Sequence, residues 1–317
     1  MARLFDPTVF ADSSIAPETA AFNAEIIARL DALPDQWDFP PAVVRERRKQ
    51  GLGAFPPKPL SDRAKTIEID GPAGPIALRI LEAENPRGVF MHIHGGGWVF
   101  GGADEQDPYL EVLADRCGLT AVSVEYRLAP EDPYPAAPDD CEAAALWLVQ
   151  NAEKEFGAPL HAIGGESAGA HLSVVTLLRL RDEHGLSPFQ KANLVAGCFD
   201  LGLTPSARRF GDTRLVLRTK DVLEFAQCFL DDRDRSDPDI SPLYADLSGM
   251  PEALFSVGTK DALVDDTLFM GARWLASGNG STVKLYPGGA HVFQAFPIPL
   301  AEESLADMIA FLGPADA

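Results

Sequence analysis

A serine stands between two glycines in the pentapeptide Gly165-Glu166-Ser167-Ala168-Gly169. An apolar run at 160–164 precedes it, and apolar residues at helical spacing follow from Ala168. A strand–turn–helix of this kind presents a serine hydroxyl at the tip of a tight turn, where small flanking residues let the neighbouring backbone approach. We therefore interpret Ser167 as a nucleophile; an ordinary glycine-rich turn between a strand and a helix is the alternative.

A second glycine-rich motif, His94-Gly95-Gly96-Gly97-Trp98, follows the apolar run 89–94. Consecutive glycines leave backbone N–H groups unobstructed, as an acyl-transfer enzyme requires to hold the oxyanion of a tetrahedral intermediate. We predict that the amides of Gly96, Gly97 and Ala168 form this oxyanion hole and that His94 orients the loop. The alternatives are a flexible turn and a phosphate-binding loop, but a phosphate-binding loop would continue with Lys and then Ser or Thr, which this motif does not.

A serine hydroxyl is a weak nucleophile unless a base takes its proton and a carboxylate orients that base. His291 is set apart from the other histidines by its glycine-rich loop beyond the last apolar run, where open α/β sheets assemble their sites. We predict that His291 is the base. The favoured acid is Asp261, the first aspartate after the run 253–257. Asp265 and Asp266 are alternatives, although capping at a helix start also explains them.

The elements that must position these residues follow from hydrophobic patterning. Apolar runs of strand length occur at 66–70, 76–81, 89–94, 121–126, 160–164, 194–199, 253–257 and 283–286. The first two flank a Gly-Pro-Ala-Gly turn and predict a β-hairpin. Helical patterns at 141–149, 168–180 and 263–275 separate several of the others. Strands that alternate with helices predict an α/β fold with a mostly parallel central sheet flanked by helices.

Two segments break this alternation. In the first sixty residues, an amphipathic helix pattern precedes a proline-rich stretch around the basic run 45–49. We interpret this basic run as a solvated helix face; a binding patch is the alternative. Between 203 and 235 a second amphipathic helix replaces the strand pattern. Because short helices bury little surface alone, we predict that 1–60 and an insertion near 203–235 form a helical cap on a catalytic domain spanning 61–317.

Composition excludes several classes of function. The 317 residues include 27 Lys and Arg against 47 Asp and Glu, a formal net charge of −20, which argues against nucleic-acid and membrane partners. Residues 1–7 lack the continuous apolar core of a secretion signal, so we expect a cytoplasmic protein. The four cysteines, which have no CxxC spacing, predict neither a disulfide framework nor a metal site (Cys117, Cys141, Cys198 and Cys228).

Taken in chain order, these motifs resemble those of the α/β-hydrolase esterases of the hormone-sensitive lipase-like family over roughly residues 60 to 315. The matching segments are His94-Gly95-Gly96-Gly97-Trp98, Tyr126-Arg127-Leu128-Ala129-Pro130-Glu131 with Tyr134-Pro135-Ala136, Gly165-Glu166-Ser167-Ala168-Gly169, Ser241-Pro242-Leu243, Asp261-Ala262-Leu263-Val264-Asp265 and His291-Val292-Phe293. The sequence departs from the family pattern at Ala262, where a proline is usual, and at Val292, where a glycine is usual.

The resemblance implies an α/β-hydrolase fold with a helical cap and a triad of Ser167, His291 and Asp261. It also implies a supporting role for Glu166 in the loops. The implied activity is a serine carboxylesterase that hydrolyses short-chain acyl esters through an acyl-enzyme, with no metal or organic cofactor and with a homodimer as a plausible assembly. Trp98, together with cap aromatics such as Trp37 and Phe39, is expected to limit acyl length.

Two alternative functions use the same residues differently. An amidase, formamidase or carbamate hydrolase would keep the triad and change the bond that is cleaved. A non-catalytic protein that binds a small ligand in the capped pocket would lack the base, whereas His291 is present here. The triad therefore favours an enzyme, and the ester is the favoured substrate.

Overall fold

The computed structural model describes residues 6–231 and 233–313. The outer ends of the predicted cap segment and catalytic domain, 1–5 and 314–317, and position 232 of the predicted insertion lie outside these residues. The strands are β1 (Lys65–Gly71), β2 (Gly74–Leu81), β3 (Gly88–Ile93), β4 (Leu119–Glu125), β5 (Leu160–Glu166), β6 (Lys191–Val195), β7 (Glu252–Gly258) and β8 (Ser281–Tyr286). The helices are α1 (Pro17–Asp31), α2 (Pro41–Lys49), α3 (Asp107–Cys117), α4 (Ala136–Phe156), α5 (Ala168–His184), α6 (Pro205–Arg209), α7 (Thr219–Leu230), α8 (Val264–Ala276) and α9 (Pro299–Leu312).

These strands form one sheet in the order β1-β2-β4-β3-β5-β6-β7-β8. β2 runs antiparallel to both β1 and β4, and every other neighbouring pair is parallel. The predicted hairpin is present, with Ile69 opposite Ile76 and Gly71 opposite Gly74. The predicted mostly parallel sheet flanked by helices is therefore confirmed.

Helices cover both faces of the sheet, so its central strands are apolar on both sides. Met91 of β3 belongs to the larger core, which includes Ala144 of α4 and Leu172 of α5. The preceding residue, Phe90, points to the opposite face and packs in a separate core with Leu113 of α3 and Leu312 of α9. This three-layer packing explains why β3 is buried along its full length.

The sixth predicted strand is displaced in the structure. The apolar run 194–199 predicts a strand, but β6 spans Lys191–Val195 and its ladder with β7 ends where Val195 pairs with Ser256. Ala196 has a φ of 47°, which turns the chain out of the sheet, while Cys198 and Phe199 stay buried in the following loop. An apolar run alone does not distinguish a buried strand from a buried loop.

The two segments that were predicted to form a cap contact each other. Asp35, between α1 and α2, forms ion pairs with Arg218 and with Lys220 at the start of α7. The indole N–H of Trp37 donates to Asp221 over 2.7 Å. Within the part of the chain that the structure describes, no helix is long and apolar enough to cross a membrane.

Candidate active site

Ser167 lies in the turn between β5 and α5 with φ of 55° and ψ of −118°, a conformation that non-glycine residues rarely adopt. Its backbone N–H donates to the carbonyl of Val195 over 2.8 Å. The turn also brings Gly169 against β3, since a Cβ at Gly169 would lie 1.9 Å from the carbonyl oxygen of Ile93. The glycine in this position is therefore a steric requirement of the turn that presents Ser167.

Loops after three strands of the same sheet edge converge at this turn. His291, in the loop after β8, has its Nε2 2.9 Å from the Oγ of Ser167. The Nδ1 of His291 lies 3.0 Å from each carboxylate oxygen of Asp261, in the loop after β7. The side chains of His291 and Asp261 are almost fully buried, which removes competing water from their hydrogen bonds. The structure thus brings together the three residues that the sequence singles out.

Unpaired backbone amides lie in the glycine-rich loop after β3 and at the start of α5. Among the described residues, none accepts a hydrogen bond from the N–H groups of Gly96, Gly97 or Ala168. Ala168 is the first residue of α5, where the helix leaves its N–H groups without partners and its dipole favours negative charge. These amides are available to an oxyanion.

Glu166 ties the glycine-rich loop to the serine turn. One oxygen of its carboxylate accepts from the backbone N–H of Gly95 over 2.7 Å, and the other lies 3.1 Å from Nε2 of His92. Gln106 also donates to Glu166, over 3.2 Å. Burial opposes ionisation of this carboxyl, but His92 and the Gly95 amide outweigh burial and lower the pKa of Glu166. Sequence patterning did not identify His92 or Gln106, because each carries out its role through a long-range contact.

The ring of His94 stacks on Tyr126 with 4.1 Å between centroids. Its Nδ1 donates to the carbonyl of Gly95 over 2.8 Å, and the hydroxyl of Tyr126 donates to the carbonyl of His94 over 2.9 Å. Burial lowers the pKa of His94, so its imidazole stays neutral at neutral pH. These contacts fix the entry to the glycine-rich loop.

Trp98 does not line the active-site cleft, contrary to expectation. Its indole is 2% exposed, stacks on Phe229 of α7 with centroids 4.7 Å apart, and donates to Nδ1 of His171 over 3.2 Å. The backbone at Trp98 has a φ of 61°, which turns this side chain into the core beneath the loop. Phe100 and Phe225 stand at the cleft wall instead.

The alternative acids have other partners. Asp265 accepts from the backbone N–H of Ser206 over 2.8 Å. Asp266 is fully buried and accepts from the amides of Phe199 and Asp200 over 2.8 and 3.0 Å. Burial, opposed by these hydrogen bonds, raises the pKa of Asp266 to about 7. Both residues therefore anchor the segment after β6, and neither contacts His291.

A cleft of about 1580 Å³ opens above Ser167 and His291. Its walls come from the loops after β3, β5 and β8, from 22–60 and from 214–225. The basic run of α2 is part of this wall: Arg45, Arg47, Arg48 and Lys49 line the cleft. Of the expected solvated face, Lys49 is exposed, whereas Arg45, Arg47 and Arg48 are half-buried at the cleft wall.

Comparison with known proteins gives consistent results. Residues 90–295 match a family of the alpha/beta hydrolase fold. The chain is 33% identical over 278 residues to esterase LipI of Mycobacterium tuberculosis, covering 83% of this chain and 85% of that protein. It is 30% identical over 296 residues to an esterase of Acinetobacter venetianus, covering 92% of this chain and 94% of that protein.

Solved structures are similar over nearly the whole chain. A hyperthermophilic esterase from the archaeon Pyrobaculum calidifontis superimposes with a TM-score of 0.83 at 28% identity, covering 94% of this chain and 97% of that chain. A hormone-sensitive lipase from a metagenome library superimposes with a TM-score of 0.80 at 26% identity, covering 93% of this chain and 97% of that chain. The fold, the sequence relatives and the geometry of the site therefore agree with one another.

Proposed function

This chain belongs to the hormone-sensitive lipase-like esterases of the α/β-hydrolase fold and is a carboxylic ester hydrolase, and from that premise we propose that it cleaves short-chain acyl esters with a Ser167–His291–Asp261 triad. The observation that carries the proposal is the continuous hydrogen-bonded chain from the Ser167 hydroxyl through His291 to Asp261, with heavy-atom distances of 2.9 and 3.0 Å. These distances are within the range that proton transfer requires.

Each step of the mechanism uses one of these contacts. The Nε2 of His291 takes the proton as the Ser167 oxygen attacks the ester carbonyl, and it then gives that proton to the departing alkoxide, which leaves as the alcohol. The acyl-enzyme is opened by a water that His291 deprotonates in the same way. Asp261 holds the imidazole with Nε2 towards the serine and stabilises the imidazolium that forms.

The oxyanion in this mechanism is held by the amides of Gly96, Gly97 and Ala168. Their N–H groups have no other partner in the described chain, so they need not break a hydrogen bond when the negative charge develops. Glu166 supports the site by holding Gly95, the residue before the oxyanion glycines, against the strand that carries Ser167.

The preference for short acyl chains is supported by an aromatic wall beside the oxyanion glycines. A Cβ at Gly97 would lie 2.3 Å from the ring of Phe225, and Phe225 packs edge-on against Phe100 with 5.6 Å between centroids. Phe225 belongs to the insertion near 203–235, which we assign together with 1–60 to a helical cap, whereas Phe100 belongs to the catalytic domain 61–317. The cap separates the acyl chain from solvent at this wall.

The test combines turnover with labelling. Ser167→Ala is expected to lower kcat for p-nitrophenyl butyrate by about 10⁶-fold, the scale seen for triad serines. A fluorophosphonate probe should label the wild-type protein at Ser167 and leave folded Ser167→Ala unlabelled. Near-normal turnover by Ser167→Ala, or a wild-type protein labelled at another residue, would refute this triad.

A further inference from the structure

The active-site cleft carries an excess of positive charge in a strongly acidic protein. Among the described residues that line the cleft, nine are Arg or Lys and seven are Asp or Glu. The whole chain has the opposite balance, 27 against 47. An acidic surface repels an anionic substrate. The excess of cations in the cleft that contains Ser167 therefore needs a local explanation.

Four of the nine cations in the cleft form ion pairs with carboxylates (Arg29, Arg45, Arg79 and Arg218). Arg45 pairs with Glu131 and donates to the carbonyl of Val99 over 2.9 Å, which attaches α2 to the loop after the oxyanion glycines. Arg218 pairs with Asp35 and Asp221. Arg45 and Arg218 are thus neutralised and act in the structure of the cap.

The other five cleft cations form no ion pair within the described part of the chain (Arg47, Arg48, Lys49, Lys58 and Arg214). Among these five, Arg48 is the one that stacks on Phe100, in the loop that follows the oxyanion glycines. Its guanidinium carbon lies 4.3 Å from the centroid of Phe100, and its Nη2 donates to the side-chain oxygen of Gln36 over 2.9 Å. Burial lowers the pKa of Arg48, which reflects a guanidinium largely removed from water without a carboxylate against it. The remaining N–H donors of such a group are well placed for a bidentate anion.

The two carboxylates whose charges act on Arg48, those of Asp221 and Glu105, form no ion pair with it in the described chain. Asp221 accepts from Trp37, Gln36 and the backbone of Arg218, which uses its oxygens. Glu105 lines the cleft and influences Arg48 through space, but it forms no ion pair in the described chain, and burial raises its pKa. Arg48 therefore faces the cleft with spare hydrogen-bonding capacity.

The guanidinium of Arg48 lies beside the aromatic wall formed by Phe100 and Phe225. Phe100, under the guanidinium, donates its backbone N–H to the carbonyl of Gly96 over 2.9 Å, and it packs on Phe225, which touches Gly97. Resting on the proposed function and its aromatic wall, we propose that Arg48 selects esters whose acyl chain ends in a carboxylate, that is, half-esters of short dicarboxylic acids. The acyl chain lies along Phe100 and Phe225, and its terminal carboxylate meets the guanidinium.

The experiment compares substrates that differ in that carboxylate alone. The monoethyl esters of succinate, glutarate and adipate are paired with ethyl butanoate, pentanoate and hexanoate, and ethanol release is measured for each. In the wild-type enzyme we expect at least one half-ester to exceed its neutral partner in kcat/KM. Arg48→Gln should lower that ratio about tenfold or more, mainly through KM, because it removes a charge-assisted hydrogen bond.

Two further variants make the test decisive. Arg116→Gln removes an equal charge from an exposed position of α3 away from the cleft, and it should leave the ratio unchanged. Glu105→Gln removes a like charge near the substrate carboxylate and should raise the ratio, which keeps the proposal testable if Arg48→Gln does not fold. If the enzyme hydrolyses the neutral esters but neither Arg48→Gln nor Glu105→Gln changes the ratio of kcat/KM between half-ester and neutral ester, only the carboxylate proposal is overturned. Absence of all turnover, with Ser167 unlabelled, would instead overturn the proposed function.

Discussion

The carboxylate of Glu166 accepts a hydrogen bond from the backbone amide of Gly95, 2.7 Å away and 71 positions earlier in the chain. Glu166 is the last residue of β5 and directly precedes the serine turn, while Gly95 begins the glycine series after β3. One buried side chain therefore sets the distance between the serine and the amides that face it. The two glycine-rich motifs form a single site because this contact connects them.

Removing that contact should damage catalysis more than binding. Glu166→Ala frees Gly95, so the amides of Gly96 and Gly97 lose their fixed direction, and kcat for p-nitrophenyl butyrate should fall about 10²-fold, the scale of one lost oxyanion donor. KM should change little, since Phe100 and Phe225 at the cleft wall are unchanged. Glu153→Ala, at an exposed site on α4, is the matched control. A folded Glu166→Ala protein with wild-type kcat would show that the glycine loop holds its shape without the carboxylate.

Stability should depend on pH through Asp266. Its pKa is raised from the ordinary 3.8 to about 7 in the folded protein, mainly by burial. A carboxyl with a raised folded pKa contributes stability that is fully present below 3.8 and is lost as the pH rises through about 7. Asp266→Asn keeps an acceptor for the amides of Phe199 and Asp200 but does not titrate. The wild-type protein should therefore lose up to about 4 kcal/mol of unfolding free energy relative to this variant between pH 4 and pH 8.

Urea unfolding of both proteins at each pH measures that difference. Other carboxyl groups titrate in both proteins, so they cancel in the comparison. Asp182→Asn, an exposed site at the end of α5, supplies a control in which the same substitution is made away from the buried segment. A constant difference across the range would mean that the Asp266 carboxyl stays ionised, held by its three hydrogen bonds.

The sequence predicts the parts of the site that depend on local backbone geometry. Ser167, His291 and Asp261 each follow a strand, and their order with the glycine motifs is enough to select them as candidates, which the structure brings within hydrogen-bonding distance of one another. Trp98 could not be placed in this way, because its direction depends on a φ of 61° and on contact with Phe229, 131 residues further along the chain. The basic run of α2 was misjudged for the same reason, since helical spacing does not reveal that Arg48 lies over Phe100.

The predicted end of the sixth strand was wrong because the residues there are buried without being paired in the sheet. Phe199 is as buried as a strand residue, yet the ladder of β6 ends four residues earlier because Ala196 turns away from the sheet. The helices α3 and α9 were not predicted, although they form one face of the core with Phe90. Their buried apolar residues do recur at helical spacing, Leu110, Leu113 and Cys117 in α3 and Ala301, Met308 and Leu312 in α9, so the pattern was present in the sequence and was overlooked.

Val292, the residue after the proposed base His291, has a strained backbone conformation. Val292 has φ of 48° and ψ of 42°, a left-handed conformation that costs a residue with a Cβ about 1–2 kcal/mol and costs glycine little. Val292→Gly and Val292→Ala both lose the valine contacts, so they differ in strain and in chain entropy. We expect Val292→Gly to be more stable than Val292→Ala, by about 1 kcal/mol in urea unfolding. At Ala310, an exposed position inside α9, substitution by glycine should instead destabilise by about 1 kcal/mol. The same order at both positions, alanine above glycine, would show that the loop relaxes around Val292 and carries no strain beside His291.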